Sequence, residues 1–309
     1  MKVAFFEVGE DERRFFESAL EGRNVEAFFY AETIDAVVDA PADFEAVSVF
    51  VHSRVDRRVL ERLPKLRYVQ TRSTGYDHID CRACYERGVT LSNVRGYAGP
   101  AVGEFAFGLL LEATRRLHVA IGRLENGDRN YLDLKGREIA GKTVGILGLG
   151  TIGMQMARIA RGFGAEVAGY SRTEKPEYAQ AGIRFTRRLE EILPASDFLM
   201  IALPLTPSTR NLIHAGNIGL FRGGIIVNPA RAEILSDEVY ERFDGIIAAD
   251  VLPRWELAKR EHIIATPHMA YYTAEALRRI WQISLENLTD VLAGNPPRDC
   301  LKIACHREY

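Results

Sequence analysis

Along the first third of the chain, short β-branched or aromatic runs alternate with polar, helix-compatible stretches. KVAFFEV, VEAFFY, AVSVFVH, LRYVQTR and VTLSNV read as strands, with DRRVLERL and IDCRACYERG as helices between them. That rhythm predicts a parallel sheet flanked by helices. From Gly99 the texture changes. Residues 100–117, PAVGEFAFGLLLEATRRL, open with a proline suited to a first helical turn and are apolar nearly all round through Phe105, Phe107, Leu109, Leu110 and Leu111. Such a helix must be buried on several sides, which places it between domains or in a subunit interface. Arg115 and Arg116 suit the C-terminal end of its dipole. A polar, glycine-containing span, 125–141, follows.

The stretch 144–153, VGILGLGTIG, joins a buried-strand pattern to a glycine turn and then to a helix. Gly148, Gly150 and Gly153 fill a GxGxxG pattern: one for the tight turn, one for close backbone approach to a pyrophosphate, one for helix–strand packing. Ile152, Met154, Met156, Ala157, Ile159, Ala160 and Phe163 continue as an amphipathic helix whose first-turn N–H groups, from Thr151 and Ile152 onward, face the phosphate site. A second strand at Glu166 to Tyr170 completes a βαβ unit. SDFLMIALPLT, GGIIVNPARAEI, GIIAADVL and IIATPHM then read as strands. Three of them deliver Arg231, Asp250 and His268 at or just past their C-terminal ends, where doubly wound sheets collect ligands. A helix at Ala274 to Leu292 returns the chain toward its start.

Length and composition narrow the picture. A chain of 309 residues is long for one core, and 47% hydrophobic content is ample for two. A net charge of −2 gives no electrostatic reason to expect nucleic acid or an anionic membrane surface as partner. The N-terminus MKVAFFEVGEDERR has acids where a signal peptide would continue its apolar run, and no run of about eighteen apolar residues occurs, so a soluble, cytoplasmic protein is expected. Cys81 and Cys84 (C-x2-C) with Cys300 and Cys305 (C-x4-C) raise the question of zinc. The tail spacing is loose and no strand-turn knuckle is evident, so buried or incidental thiols are the reading and no metal is expected.

With RSTGYDHID, NVRGYAGPAVGEFAFGLLLEATR, GKTVGILGLGTIG, VNPARAEI, ADV and TPHMAYYT read in this order, the chain resembles the D-isomer-specific 2-hydroxyacid dehydrogenase family from about residue 45 to residue 292. TPHMAYYT looks most like the D-lactate dehydrogenase branch, the cofactor segment like the glyoxylate and hydroxypyruvate reductases. The resemblance implies an α/β protein: a Rossmann doubly wound nucleotide-binding domain, 100–273, inserted into a flavodoxin-like substrate domain made of 1–99 and 274–309. It also implies a cleft active site, and a homodimer built around the 100–117 helix.

Carried over by position, Arg231 matches the arginine that binds the substrate carboxylate and polarises the C2 oxygen, a task suited to a planar, permanently charged fork of donors. His268 matches the acid–base histidine, with Glu256 as the carboxylate that orients it. The family glutamate usually stands one residue earlier, where Trp255 lies here, so Glu261 is the fallback. The family's glycine after the arginine is replaced by Ala232. Ser73, Thr74 and Gly75 become a second carboxylate clamp, and Asp250 the partner of the nicotinamide amide. At the end of the second nucleotide-domain strand, Ser171 and Arg172 replace the carboxylate that would receive the ribose hydroxyls of NAD, so NADP is expected as cofactor with NAD as the alternative. The implied activity is hydride transfer between nicotinamide and a 2-keto or D-2-hydroxy acid. A nucleotide-sensing protein of the same fold without turnover, such as a corepressor, is the alternative from a different class.

Overall fold

The computed structural model describes residues 1–37 and 41–301. The chain divides into two compact units, one formed by Met1–Tyr97 with the segment that begins at Thr273, the other by Ala98–Tyr272.

In the first unit the elements run β1 (Lys2–Phe5), α1 (Glu10–Leu20), β2 (Glu26–Phe29), β3 (Ala46–Val49), α2 (Arg57–Arg62), β4 (Tyr68–Thr71), α3 (Cys81–Glu86) and β5 (Thr90–Ser92). The strands pair in parallel in the order β2-β1-β3-β4-β5, a flavodoxin-like sheet. Alternate residues serve opposite faces. Val3, Phe5, Ala46 and Tyr68 pack with Phe16 and Leu20 of α1, whereas Ala4, Val47, Val49 and Val69 pack with Val59 and Leu60 of α2 and Ala83 of α3. Burial on both faces is why these strands read as continuous apolar runs rather than as an alternation. Asp56 caps α2 by accepting from the N–H groups of Arg58 and Val59, and Asp80 caps α3 by accepting from Ala83 N–H.

The second unit runs α4 (Gly99–Arg115), α5 (Leu117–Glu125), β6 (Thr143–Leu147), α6 (Thr151–Gly162), β7 (Glu166–Tyr170), α7 (Pro176–Gln180), β8 (Ile183–Thr186), α8 (Leu189–Ala195), β9 (Phe198–Ile201), β10 (Ile225–Asn228), α9 (Asp237–Arg242), β11 (Ile246–Ala249) and β12 (Ile263–Ala265); α10 (Ala274–Leu292) then returns to the first unit. Its sheet, ordered β12-β11-β10-β9-β6-β7-β8, is parallel throughout and reverses direction of growth between β9 and β6. This is the doubly wound Rossmann order, and the reversal marks the crevice where such sheets bind ligands.

The apolar helix expected at 100–117 ends sooner. Arg116 turns into the left-handed region at φ 51°, and α5 starts afresh at Leu117. Its cover also comes from inside its own unit: Ala106, Phe107, Leu109, Leu110 and Ala113 join the core with Met156, Ala157 and Ala160 of α6 and with β10 and β11. Gly103 permits the close crossing, since a Cβ there would sit 2.7 Å from the Gln155 side chain.

Cys81 and Cys84 lie on α3, where burial pushes their thiols up to about 11 and about 12. Cys300 is half-buried and carries a free thiol, and Cys305 lies outside the described residues. Among the described residues no three His, Cys, Asp or Glu side chains gather to hold a metal, and no helix is long and apolar enough to cross a membrane.

Candidate active site

The turn after β6 divides its three glycines by task. Gly148 has φ 101°, and a Cβ there would meet the Ala202 carbonyl oxygen at 2.7 Å, so only glycine fits the tight turn. A Cβ on Gly153 would lie 1.8 Å from the Gly148 carbonyl oxygen; the helix can approach the strand only because that position is bare. At Gly150 a Cβ would meet nothing within 4 Å. This residue is the N-cap of α6 and offers no side-chain cap, which leaves the first-turn N–H groups of Thr151, Ile152 and Gly153 open to an anion. Sterics require two of the glycines and explain nothing about Gly150, which the close approach of a dinucleotide pyrophosphate does explain. The site therefore fits that group.

Ser171 and Arg172 follow β7 directly. Ser171 is half-buried and its N–H donates to the Thr186 carbonyl (3.3 Å); Arg172 is exposed and forms no ion pair among the described residues. Glu174, also exposed, is the nearest acid along the chain.

On the other side of the reversal, the adjacent strands β10, β11 and β12 bring Arg231, Asp250 and His268 to one edge of the sheet. The turn bearing Arg231 is held by Asn228, a fully buried residue that sequence reading did not single out. Its amide donates to the Arg231 carbonyl (2.9 Å) and its side-chain oxygen accepts from Ala230 N–H (3.1 Å). Arg231 is half-buried, with Nη1 donating to the Ala230 carbonyl (3.0 Å).

His268 lies three residues beyond β12 and takes φ 56°, a left-handed conformation worth about 1–2 kcal/mol of strain in an L residue. Its backbone N–H donates to the carbonyls of Asp250 (2.8 Å) and Thr266 (3.0 Å), and its ring meets Tyr271 edge-on at 6.1 Å. The Asp250 carboxylate is wholly buried. One oxygen accepts from the Thr266 hydroxyl (2.6 Å) and Met269 N–H (2.9 Å), the other from Ala270 N–H (2.8 Å). Glu256 is exposed in the 3-10 turn Trp255–Lys259, and Glu261, just past it, is exposed as well.

In the first unit, β4 runs into Arg72 and the turn Ser73, Thr74, Gly75. Arg72 is buried, with Nε 2.7 Å from the Glu12 carboxylate, an ion pair whose N–H is not aligned on the oxygen; its other nitrogens donate to the carbonyls of Phe6 and Ser48. Burial raises the Glu12 carboxyl above its usual range against the opposing pull of Arg72. Ser73 Oγ donates to the Gly75 carbonyl (2.6 Å) and shares a hydrogen bond with Thr71, which in turn meets His78 Nε2 (3.0 Å). Thr74 Oγ1 donates to the Val94 carbonyl, and the buried Asn93 amide donates to the Thr74 carbonyl (2.7 Å). The turn's side chains are thus spent on holding its own shape, and a ligand would meet backbone. Asn93 carries no local sequence signal because its partner Thr74 lies nineteen positions earlier, whereas Thr71 and Asn228 bond to residues two to seven positions on and read in sequence as ordinary polar residues.

Comparison with known proteins agrees with this fold. The sequence profile described as D-isomer specific 2-hydroxyacid dehydrogenase, NAD binding domain, matches residues 107–270. Among relatives, the chain is 29% identical to 2-hydroxyacid dehydrogenase homolog 1 of Schizosaccharomyces pombe, over 96% of this chain and 97% of that one. It is 31% identical to a glyoxylate reductase of Thermococcus gammatolerans, over 85% and 84%. Among solved structures, D-lactate dehydrogenase from Aquifex aeolicus, complexed with NAD and lactic acid, superposes with a TM-score of 0.85 at 26% identity, covering 95% of this chain and 96% of that one. The chain carries the family's nicotinamide-nucleotide domain and has enzymes, not sensors, as these relatives, and it belongs to the D-isomer specific 2-hydroxyacid dehydrogenase family as an oxidoreductase acting on 2-hydroxy or 2-keto acids.

Proposed function

We propose that the enzyme reduces a short 2-keto acid to the D-2-hydroxy acid and takes NADPH in preference to NADH. The observation that carries the cofactor choice is the pair Ser171 and Arg172 after β7. A carboxylate there would accept from both ribose hydroxyls and repel a 2′-phosphate; a serine offers a hydroxyl without charge, and the uncommitted Arg172 guanidinium suits a phosphate. Gly148, Gly150, Thr151, Ile152 and Gly153 would hold the pyrophosphate, with Asp250 near the nicotinamide end. The bound nicotinamide supplies the hydride that reaches substrate C2.

The protein's part is orientation, charge and a proton. Arg231 grips the substrate carboxylate and polarises the C2 oxygen through its planar donors, and the Ser73, Thr74 and Gly75 turn, through its backbone N–H groups, is the second carboxylate clamp of this reading. As hydride adds to C2, the developing alkoxide takes a proton from the His268 imidazolium; oxidation reverses the transfer. Glu256, or Glu261 beyond it, is the carboxylate that in this reading would orient the ring and favour its protonated form. Relatives named for glyoxylate and lactate support a substrate of similar size. A homodimer fits the face of α5, where Leu117, Ile121 and Leu124 recur at helical spacing and stand exposed.

Steady-state kinetics with glyoxylate, pyruvate and hydroxypyruvate, each with both reduced cofactors, test the reading. One charge-assisted hydrogen bond worth about 1.5–3 kcal/mol predicts a roughly ten- to hundredfold preference for NADPH in kcat/KM. Equal or better kcat/KM with NADH would overturn the cofactor choice and hand the ribose to a nearby acid such as Glu174.

A further inference from the structure

The turn from Thr266 to Ala270 is organised by one residue outside it. Of these five residues, four donate to Asp250: the Thr266 hydroxyl, Met269 N–H and Ala270 N–H to the carboxylate, and His268 N–H to the main-chain carbonyl. The fifth, Pro267, has no N–H to give. The carboxylate bridges across His268, taking donors from the residue two before it and from the two after it. Backbone bonds alone would hold an ordinary loop after a strand. Here a carboxylate has been taken wholly out of water to do so, a placement tolerated only because its oxygens are met by several short hydrogen bonds. What the arrangement fixes is the left-handed backbone of His268, and with it the direction in which the imidazole leaves the chain.

We propose that Asp250 and Thr266 are positioning residues for His268: the buried carboxylate gathers Thr266, Met269 and Ala270 around the histidine and holds its ring in the one orientation that serves proton transfer. This rests on His268 being the acid–base group. It assigns Asp250 a task beyond any contact with the cofactor, and brings in Thr266, whose hydroxyl is already committed to Asp250 at 2.6 Å and has no assigned contact with cofactor or substrate.

Thr266 separates the two tasks of Asp250. Thr266→Val removes the hydroxyl at nearly constant shape and leaves every backbone donor in place. Loss of one charge-assisted hydrogen bond in the turn that carries the ring predicts a fall in kcat of about tenfold, with the KM of the keto acid and the Kd of NADPH within about twofold of their original values. Thr266→Ser keeps the hydroxyl and is expected to restore most of kcat. The second readout does not depend on turnover: the His268 imidazole resonances, identified by their absence in His268→Ala, should shift or broaden in Thr266→Val and return in Thr266→Ser. Unchanged resonances in Thr266→Val, or equal loss in the valine and serine variants, would overturn the proposal. If His268→Ala itself kept full turnover, the acid–base reading would fail instead, while the resonances would still report whether Thr266 holds the ring.

Discussion

Half-buried Ser171 and exposed Arg172 are the residues on which the proposed cofactor choice rests. Neither is needed by the fold, so substitutions there should change selectivity without loss of stability. Ser171→Asp should move the enzyme toward NADH by removing affinity for NADPH, because the new carboxylate repels the 2′-phosphate and accepts from the ribose. Arg172→Ala should shrink the NADPH preference while leaving turnover with NADH intact, as read by kcat/KM with each cofactor. An Arg172→Ala variant with an unchanged cofactor ratio would place the guanidinium in solvent. Arg231 should be less forgiving. Arg231→Lys keeps the charge but loses the bidentate fork, so a large loss in kcat/KM for the keto acid is expected even though thermal stability holds.

At the scale of elements, the β6–α6 junction allows packing and binding to be pulled apart. Gly153→Ala drives a methyl into the Gly148 carbonyl oxygen, so helix and strand must separate; a destabilisation of about 1–3 kcal/mol or more is expected, seen as a lowered Tm. Gly150→Ala meets open space, and φ −79° suits alanine, so Tm should hold while cofactor affinity falls as the methyl intrudes on the phosphate's approach. If both variants lost stability alike, Gly150 would be a structural glycine and the open N-terminus of α6 would have no ligand to explain it. This junction is where sequence was most legible, because each glycine's task is set by backbone a few residues away. The His268 turn was legible only in part. The histidine follows a strand and a proline, but its support comes from Asp250, sixteen to twenty residues earlier, through contacts that no local pattern encodes. Elements were missed for a related reason. β8 is a four-residue edge strand, IRFT, too short to show a period, and α5 hides behind the Arg115 and Arg116 pair that marks the end of α4.

For the whole molecule, the nearly all-apolar α4 is satisfied within its own unit, so it gives no argument for a partner subunit. The dimer expectation passes instead to α5, where Ile121 and Leu124 are 57% and 63% exposed. Sedimentation at micromolar concentration should show a dimer, and Ile121→Glu should shift it toward monomer by burying a charge in an apolar interface. A monomeric unmutated protein would leave that face without a role in self-association. The parallel sheets themselves were legible from strand runs and helix rhythm, whereas strand order, which sets Arg231, Asp250 and His268 side by side, follows from long-range pairing. The test that bears most directly on catalysis is single-turnover reduction of a keto acid by NADPH-saturated enzyme, with unmutated protein and His268→Ala measured side by side. Removing the general acid should slow hydride transfer by about 10²- to 10⁴-fold while cofactor affinity stays nearly intact; a variant that kept most of its rate would contradict proton donation by His268.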